Sequence, residues 1–181
     1  MFSTRERLNR RTPQGGINRR EYIRLLVDEY YETSNLEAQQ QVTANLANFA
    51  YDPINWQYLQ QAKAHELLYD ILQQSGQGVV DRLLVVHAIV GLTNISLHSA
   101  TAEFIERSNG LKQLRELLEK HKNDCEIVCN ILTCLLFLLN EARAHILKQD
   151  ESLLKTLTEL KKTVSIRVQH LATVISEELG Q

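Results

Sequence analysis

Leucine, isoleucine and valine recur along this chain at three- and four-residue steps, and the strict alternation of a half-buried strand is almost absent. Tyr22, Ile23, Leu25, Leu26 and Tyr30 form an apolar stripe that predicts a helix from Asn18 to Thr33, with Ser34 and Asn35 supplying a break and the next cap. Asp52-Pro53 predicts a further start, a capping carboxylate followed by a proline where a first-turn N–H is not missed. Leu67, Leu68, Ile71 and Leu72 predict a helix closing near Gly76 and Gly78. Ala102 to Arg107 predicts a short helix, Asn109-Gly110 a sharp corner, and Leu111, Leu114, Leu117 and Leu118 the helix after it. Ile127, Val128, Ile131, Leu132, Leu135, Leu136, Leu138 and Leu139 leave little polar face, so their helix must be covered on most sides.

These helices repeat. Ala44 to Ala50, Val90 to Ser96, Thr133 to Leu139 and Gln169 to Ile175 align on Leu46, Leu92, Leu135 and Leu171, which lie 46, 43 and 36 residues apart. That spacing is near the period of about 40–47 residues of armadillo and HEAT arrays and mostly too long for tetratricopeptide or ankyrin units. Each unit reads as a short helix, a bend, a longer helix and then the longest one. The end helices, Tyr22 to Thr33 and Ser165 to Leu179, are expected to act as caps with one polar face.

Composition narrows the class. The 181 residues suit one folded domain, and 44% hydrophobic with 23% charged residues is too apolar for general disorder. No apolar run approaches the roughly 18 residues of a membrane span. Two prolines and seven glycines are too few for the turns of a β-sandwich. Cys125, Cys129 and Cys134, three in one helix, make no disulfide framework and fit a reducing compartment, and no secretory h-region follows Met1. The net charge of −2 divides into +5 over residues 1–20 and −7 over the rest. A basic arm, 1–18, with Pro13, Gly15 and Gly16 and little to bury, is expected to be disordered ahead of a helical domain over 19–181.

The repeat register resembles armadillo repeats, which implies an all-α fold: an armadillo-type right-handed α-solenoid of about three to four repeats, its third helices lining a concave face. Within it, the run Val42 to Leu59, with Ala44-Asn45-Leu46-Ala47-Asn48-Phe49-Ala50-Tyr51-Asp52-Pro53 at its centre and Asn55 after it, closely resembles the armadillo repeat-containing protein 7 family. The likeness is sharp from Gln41 to Leu72 and diffuse elsewhere from Tyr22 onward. Gly110 matches the usual glycine between first and second helices, whereas the first repeat has Lys63-Ala64 there. This resemblance implies a nuclear, non-enzymatic adaptor in pre-mRNA splicing, holding an RNA-recognition-motif protein in the minor (U12-type) spliceosome near the capped small nuclear RNA.

In armadillo repeats a third-helix asparagine can pair with the backbone of an extended peptide, because one amide offers both donor and acceptor. Asn48 and Asn94 hold that position, while Phe137 and Thr173 occupy it in the third and fourth repeats. Ala44 and Val90 stand where carriers of basic import signals have tryptophan, so binding of such signals is not expected. The other reading is that both asparagines satisfy the turn below them. One and two turns back, the same face carries Asn45 and Gln41, Gly91 and His87, then Thr133 and Asn130: a polar, nearly uncharged lining. His87, among Val86, Ala88 and Ile89, is either part of that lining or a satisfied structural histidine. Tyr51 and Trp56 flank the Asp52-Pro53 corner, Trp56 as an interface anchor or as cover for the short helix. The arm's Arg5, Arg7, Arg10, Arg11, Arg19 and Arg20 can contact small nuclear RNA phosphates, resemble a presequence, or simply be solvated. Direct RNA binding through the arm and a general peptide-binding scaffold are the alternatives to the splicing adaptor. Cys125 and Cys129 share a face, but zinc needs a second ligand pair and only His121 is near in sequence. The remaining histidines form no HExxH run, and no P-loop or GxSxG motif exists. No catalytic residue, metal or cofactor is expected.

Overall fold

Side-chain caps set where the helices begin. The structure, a computed structural model, describes residues 2–4, 6, 7, 10 and 16–180, and all regular secondary structure among them is helical. Asn18 accepts from the Glu21 N–H and opens α1, Arg19–Glu32. Asn35 accepts from Ala38 and opens α2, Leu36–Ala50. Asp52 accepts from Ile54 and starts a 3-10 turn, Pro53–Asn55, which passes into α3, Trp56–Gln61. After α4, Ala64–Gln77, Asp81 accepts from Leu83 and Leu84 and starts α5, Arg82–Ile95. Then come α6, Ser99–Arg107, and α7, Gly110–Lys120. Asp124, Asn140, Asp150 and Ser165 cap α8, Cys125–Leu138, α9, Glu141–Lys148, α10, Glu151–Leu160, and α11, Ile166–Glu178. Each such cap contributes about 1 kcal/mol. The end expected near Gly76 and Gly78 is where α4 stops: it runs to Gln77, with Gly78 as its cap.

The corners before α4 and α7 are alike. Lys63 (φ 60°, ψ 24°) and Asn109 (φ 60°, ψ 30°) both take the left-handed conformation. So the corner itself needs no glycine; Gly110 serves a different purpose. A Cβ there would lie 2.4 Å from Ile105 Cγ2 and 2.6 Å from the Ile105 carbonyl oxygen, so the residue must lack a side chain for α7 to approach α6. Ala64, at the matching place after Lys63, is fully buried with its methyl accommodated.

The chain forms two compact units, 1–101 and 102–181. In the first, α2 and α5 make the most extensive helix pairing, α4 covers α5, and α1 packs on α2 and α3. Ile23, Leu46, Leu59, Leu67, Leu68, Ile71, Ile89 and Leu92 are inaccessible to solvent or nearly so, each such burial stabilising by roughly 2 kcal/mol. In the second, α8 packs against α7 and α11, and α10 against α11, around Leu114, Leu117, Ile131, Leu132, Leu135, Leu157 and Ile175. Leu46, Leu92 and Leu135 are fully buried as the repeat register requires; Leu171 is half-buried, and its neighbour Ala172 takes the inward place. α1 does not turn a wholly polar face outward. Arg24 bridges Glu21 and Asp28 at 2.6 Å each on the outside, but Tyr22, Leu25 and Tyr31 are exposed as well. No helix among the described residues is long and apolar enough to cross a membrane.

Candidate functional site

The candidate site lies on α2 and α5 of the first unit. α2 buries Val42, Thr43, Leu46, Ala47 and Ala50, which leaves Gln41, Asn45 and Asn48 in line on its open side. Beyond its first turn, α5 is buried except for His87, Val90 and Asn94, a single narrow strip at helical spacing. Gly91 seats the two helices together: a Cβ there would lie 3.3 Å from the Ala47 Cα and 2.8 Å from the Leu68 Cδ1. Among the described residues, the side-chain amides of Asn45, Asn48 and Asn94 meet no hydrogen-bond partner. Each therefore keeps a carbonyl oxygen to accept with and an NH2 group to donate with.

The upper part of the strip is tied down. Thr43 Oγ1 lies 3.1 Å from His87 Nδ1 and 2.9 Å from the Gln39 carbonyl oxygen. Gln40 Nε2 donates to Asp81 Oδ1 at 2.9 Å, and the same oxygen accepts from the Leu83 and Leu84 N–H groups. That hydrogen bond from Gln40 holds the Asp81 carboxyl below its usual value. His87 is thus part of the α2–α5 contact and half-open to solvent at once.

Other expected site residues fall elsewhere. Asn130, on α8 of the second unit, donates Nδ2 to the Glu126 carbonyl at 2.9 Å. Trp56 is half-buried and donates its ring N–H to the Ala50 carbonyl at 2.8 Å, with its ring edge-on to His98 at 6.0 Å. It binds the corner to the end of α2. Tyr51 points outward, 63% exposed. Of the arginine arm, Arg5 and Arg11 lie outside the described residues; Arg7 and Arg10 are exposed, Arg10 paired with Glu6 at 2.6 Å. Arg19 and Arg20 are not arm residues. The Asn18 cap draws them into α1, where the Arg19 guanidinium lies 4.8 Å from the Phe49 ring centroid and 3.4 Å from Asn55 Oδ1.

Sequence reasoning missed the buried Asn55, whose Nδ2 donates to the Phe49 carbonyl at 2.9 Å. It also missed Asp52 beyond its capping role: Oδ2 accepts from the Ser3 N–H at 2.8 Å. Burial alone would raise the Asp52 carboxyl, but hydrogen bonds from Ser3 and Ile54 and the charge of Arg19 outweigh it and hold the group below its usual value. His65 is pushed down by burial and so is neutral at pH 7. Burial likewise pushes the Cys129 thiol up; Cys129 and Cys134 are buried and Cys125 exposed, all three free. No group of three or more His, Cys, Asp or Glu placed to hold a metal ion occurs among the described residues.

Comparison with known proteins finds similarity of the kind the sequence suggested, over part of the chain. No family model matches the chain. Armadillo repeat-containing protein 7 of Mus musculus is 44% identical over 64 residues, 35% of this chain. The match spans 32% of the length of that relative. Two crystal structures of engineered proteins superpose with TM-scores of 0.71 at 20% identity, covering 88% and 87% of this chain and 38% and 62% of theirs. The resemblance to armadillo repeat-containing protein 7 is borne out over the matched stretch, and the fold is an all-α solenoid.

Proposed function

We propose that the chain is a non-enzymatic repeat scaffold that holds an extended segment of a protein partner along the α2–α5 strip. The observation that carries this reading is the pair of unspent amides, Asn48 and Asn94, at one register of two tightly packed helices. An amide with both lone pairs and protons available matches the alternating carbonyl and N–H groups of an extended backbone, and a nearly uncharged lining favours backbone over phosphate. The likeness to armadillo repeat-containing protein 7 supports a setting in nuclear pre-mRNA splicing, with an RNA-recognition-motif protein of the minor (U12-type) spliceosome as partner. In that setting Arg7 and Arg10 touch small nuclear RNA through phosphates alone, which a salt titration of RNA binding reveals as a steep loss of affinity.

The test is capture from nuclear extract by the full chain and by the Asn48→Ala/Asn94→Ala variant. The full chain is expected to retain an RNA-recognition-motif splicing factor and the variant to lose it. Retention of no splicing factor rules out the setting. Equal retention by both chains rules out the strip.

A further inference from the structure

One turn beyond Asn48, the end of α2 forms a small rigid corner. Two side chains brace it from below: Trp56 donates to the Ala50 carbonyl and Asn55 to the Phe49 carbonyl. Asp52 Oδ1 is used in capping Ile54. Its other oxygen, Oδ2, takes no part in that cap, and Tyr51 stands beside it, 63% exposed. The corner is therefore held in shape by contacts that any occupant leaves alone, and it offers one carboxylate oxygen and one aromatic face.

Residues 2 and 3 of the same chain lie on that surface. The Ser3 backbone N–H donates to Asp52 Oδ2 at 2.8 Å, and the Ser3 hydroxyl hydrogen-bonds to the same carboxylate. The Phe2 ring packs on Tyr51 with centroids 5.8 Å apart and planes tilted by 48°. Both chemical features of the corner are matched by consecutive residues from 49 positions earlier in the chain.

We propose that the Tyr51–Asp52 corner is a receptor for an extended aromatic–serine segment, and that Phe2-Ser3 is its resident occupant, closing the corner to partners. The aromatic ring recognises Tyr51, and a backbone N–H with an adjacent hydroxyl recognises the carboxylate. A tethered segment competes at an effective concentration of about millimolar, so an outside segment of equal chemistry is held off until it exceeds that level. The corner lies one turn beyond Asn48 and is tested through other residues, so failure of the Asn48→Ala/Asn94→Ala capture experiment leaves this inference standing.

The experiment uses the full-length chain and a fluorescent peptide carrying the sequence of residues 1–7 as probe. Phe2→Ala in the chain removes the resident ring without touching the core, since Phe2 is 56% exposed. The probe is expected to bind the Phe2→Ala chain about ten-fold more tightly than wild type, the resident competitor having been weakened. Adding Asp52→Asn to the Phe2→Ala chain is expected to abolish the gain, with thermal unfolding showing that the doubly substituted chain is folded. In the wild-type chain the Ser3 amide is expected to exchange slowly with solvent, and in Phe2→Ala at the rate of a free peptide. Equal probe affinity for wild type and Phe2→Ala overturns the resident occupant; no binding to either overturns the receptor.

Discussion

In the first unit Asn48 and Asn94 keep their amides free, while in the second Asn130 gives its NH2 to the Glu126 carbonyl one turn back. At the position that repeats Asn48, the second unit carries Phe137, 41% exposed. Its hydroxyls are spent locally too: Thr133 donates to Cys129 and Thr173 to Gln169, both carbonyls of their own helices. Short polar side chains on a helix always have the backbone as a competing partner. Helix register alone therefore does not make a binding ladder; the amide must also lose that local competition. By this measure the first unit offers groups for a peptide backbone and the second offers an apolar edge.

The comparison breaks most severely at the corners. They share one backbone conformation but differ in the room behind them, so the same methyl group should be tolerated in one and rejected in the other. Gly110→Ala meets the Ile105 side chain and carbonyl and should cost about 2–3 kcal/mol, read by urea unfolding. Ala64→Gly, the reverse exchange in the first unit, should cost only about 1 kcal/mol. If the two exchanges cost the same, the corners differ in nothing that packing controls.

Next in size is the contrast between free and spent amides. Removing a used, buried rung costs about 1–3 kcal/mol of binding, so Asn48→Ala/Asn94→Ala should weaken partner capture by at least ten-fold while leaving the unfolding midpoint nearly unchanged. Asn130→Ala should do neither to any large extent, because its NH2 is already given to the Glu126 carbonyl of its own helix. A large stability loss in the double variant would show that the two amides hold the fold after all.

Most of the fold was legible because it rests on local signals. Asn35 and Asp52 were read as caps and act as caps, and Leu46, Leu92 and Leu135 were read as core and are core. Leu171 was not separable from them by spacing, since its partial exposure depends on what packs around the last helix. The free and tied asparagines are the same residue at similar helical positions, and a rotamer choice decides between them. The Asn109-Gly110 corner was legible, but not the division of work within it: the left-handed backbone falls on Asn109, as it does on Lys63, while the glycine answers a steric demand from Ile105. The Phe2-Ser3 contact rests on one ring and one carboxylate 49 residues away, with no periodicity to announce it.

A smaller effect separates the units in acid. His65 is buried in the first unit and His121 half-buried in the second, and burial lowers both below the ordinary imidazole value. The unfolded chain then binds protons more readily than the folded one, so the stability from keeping these rings neutral is whole above about pH 6.5 and is lost as pH falls below it. His65→Gln should flatten the fall in unfolding temperature between pH 7.5 and 5.5 more than His121→Gln does. The opposite order would mean that burial does not set the acid sensitivity.

The smallest test returns to the corners and asks whether their shared conformation is equally comfortable. Asparagine tolerates the left-handed region because its short side chain can hydrogen-bond locally, whereas lysine meets the full clash of its Cβ with the backbone. Lys63 has only an exposed ion pair to Glu66 at 3.3 Å in return, and such pairs contribute little. Lys63→Asn should therefore stabilise the chain by about 0.5 kcal/mol, and Asn109→Lys should destabilise it by a similar amount. Either change moves the unfolding temperature by about 1–2 °C, within reach of calorimetry. Opposite signs confirm that the two units bend by the same backbone device; equal signs mean that one corner is fixed by its surroundings and would keep its shape whatever residue stood there.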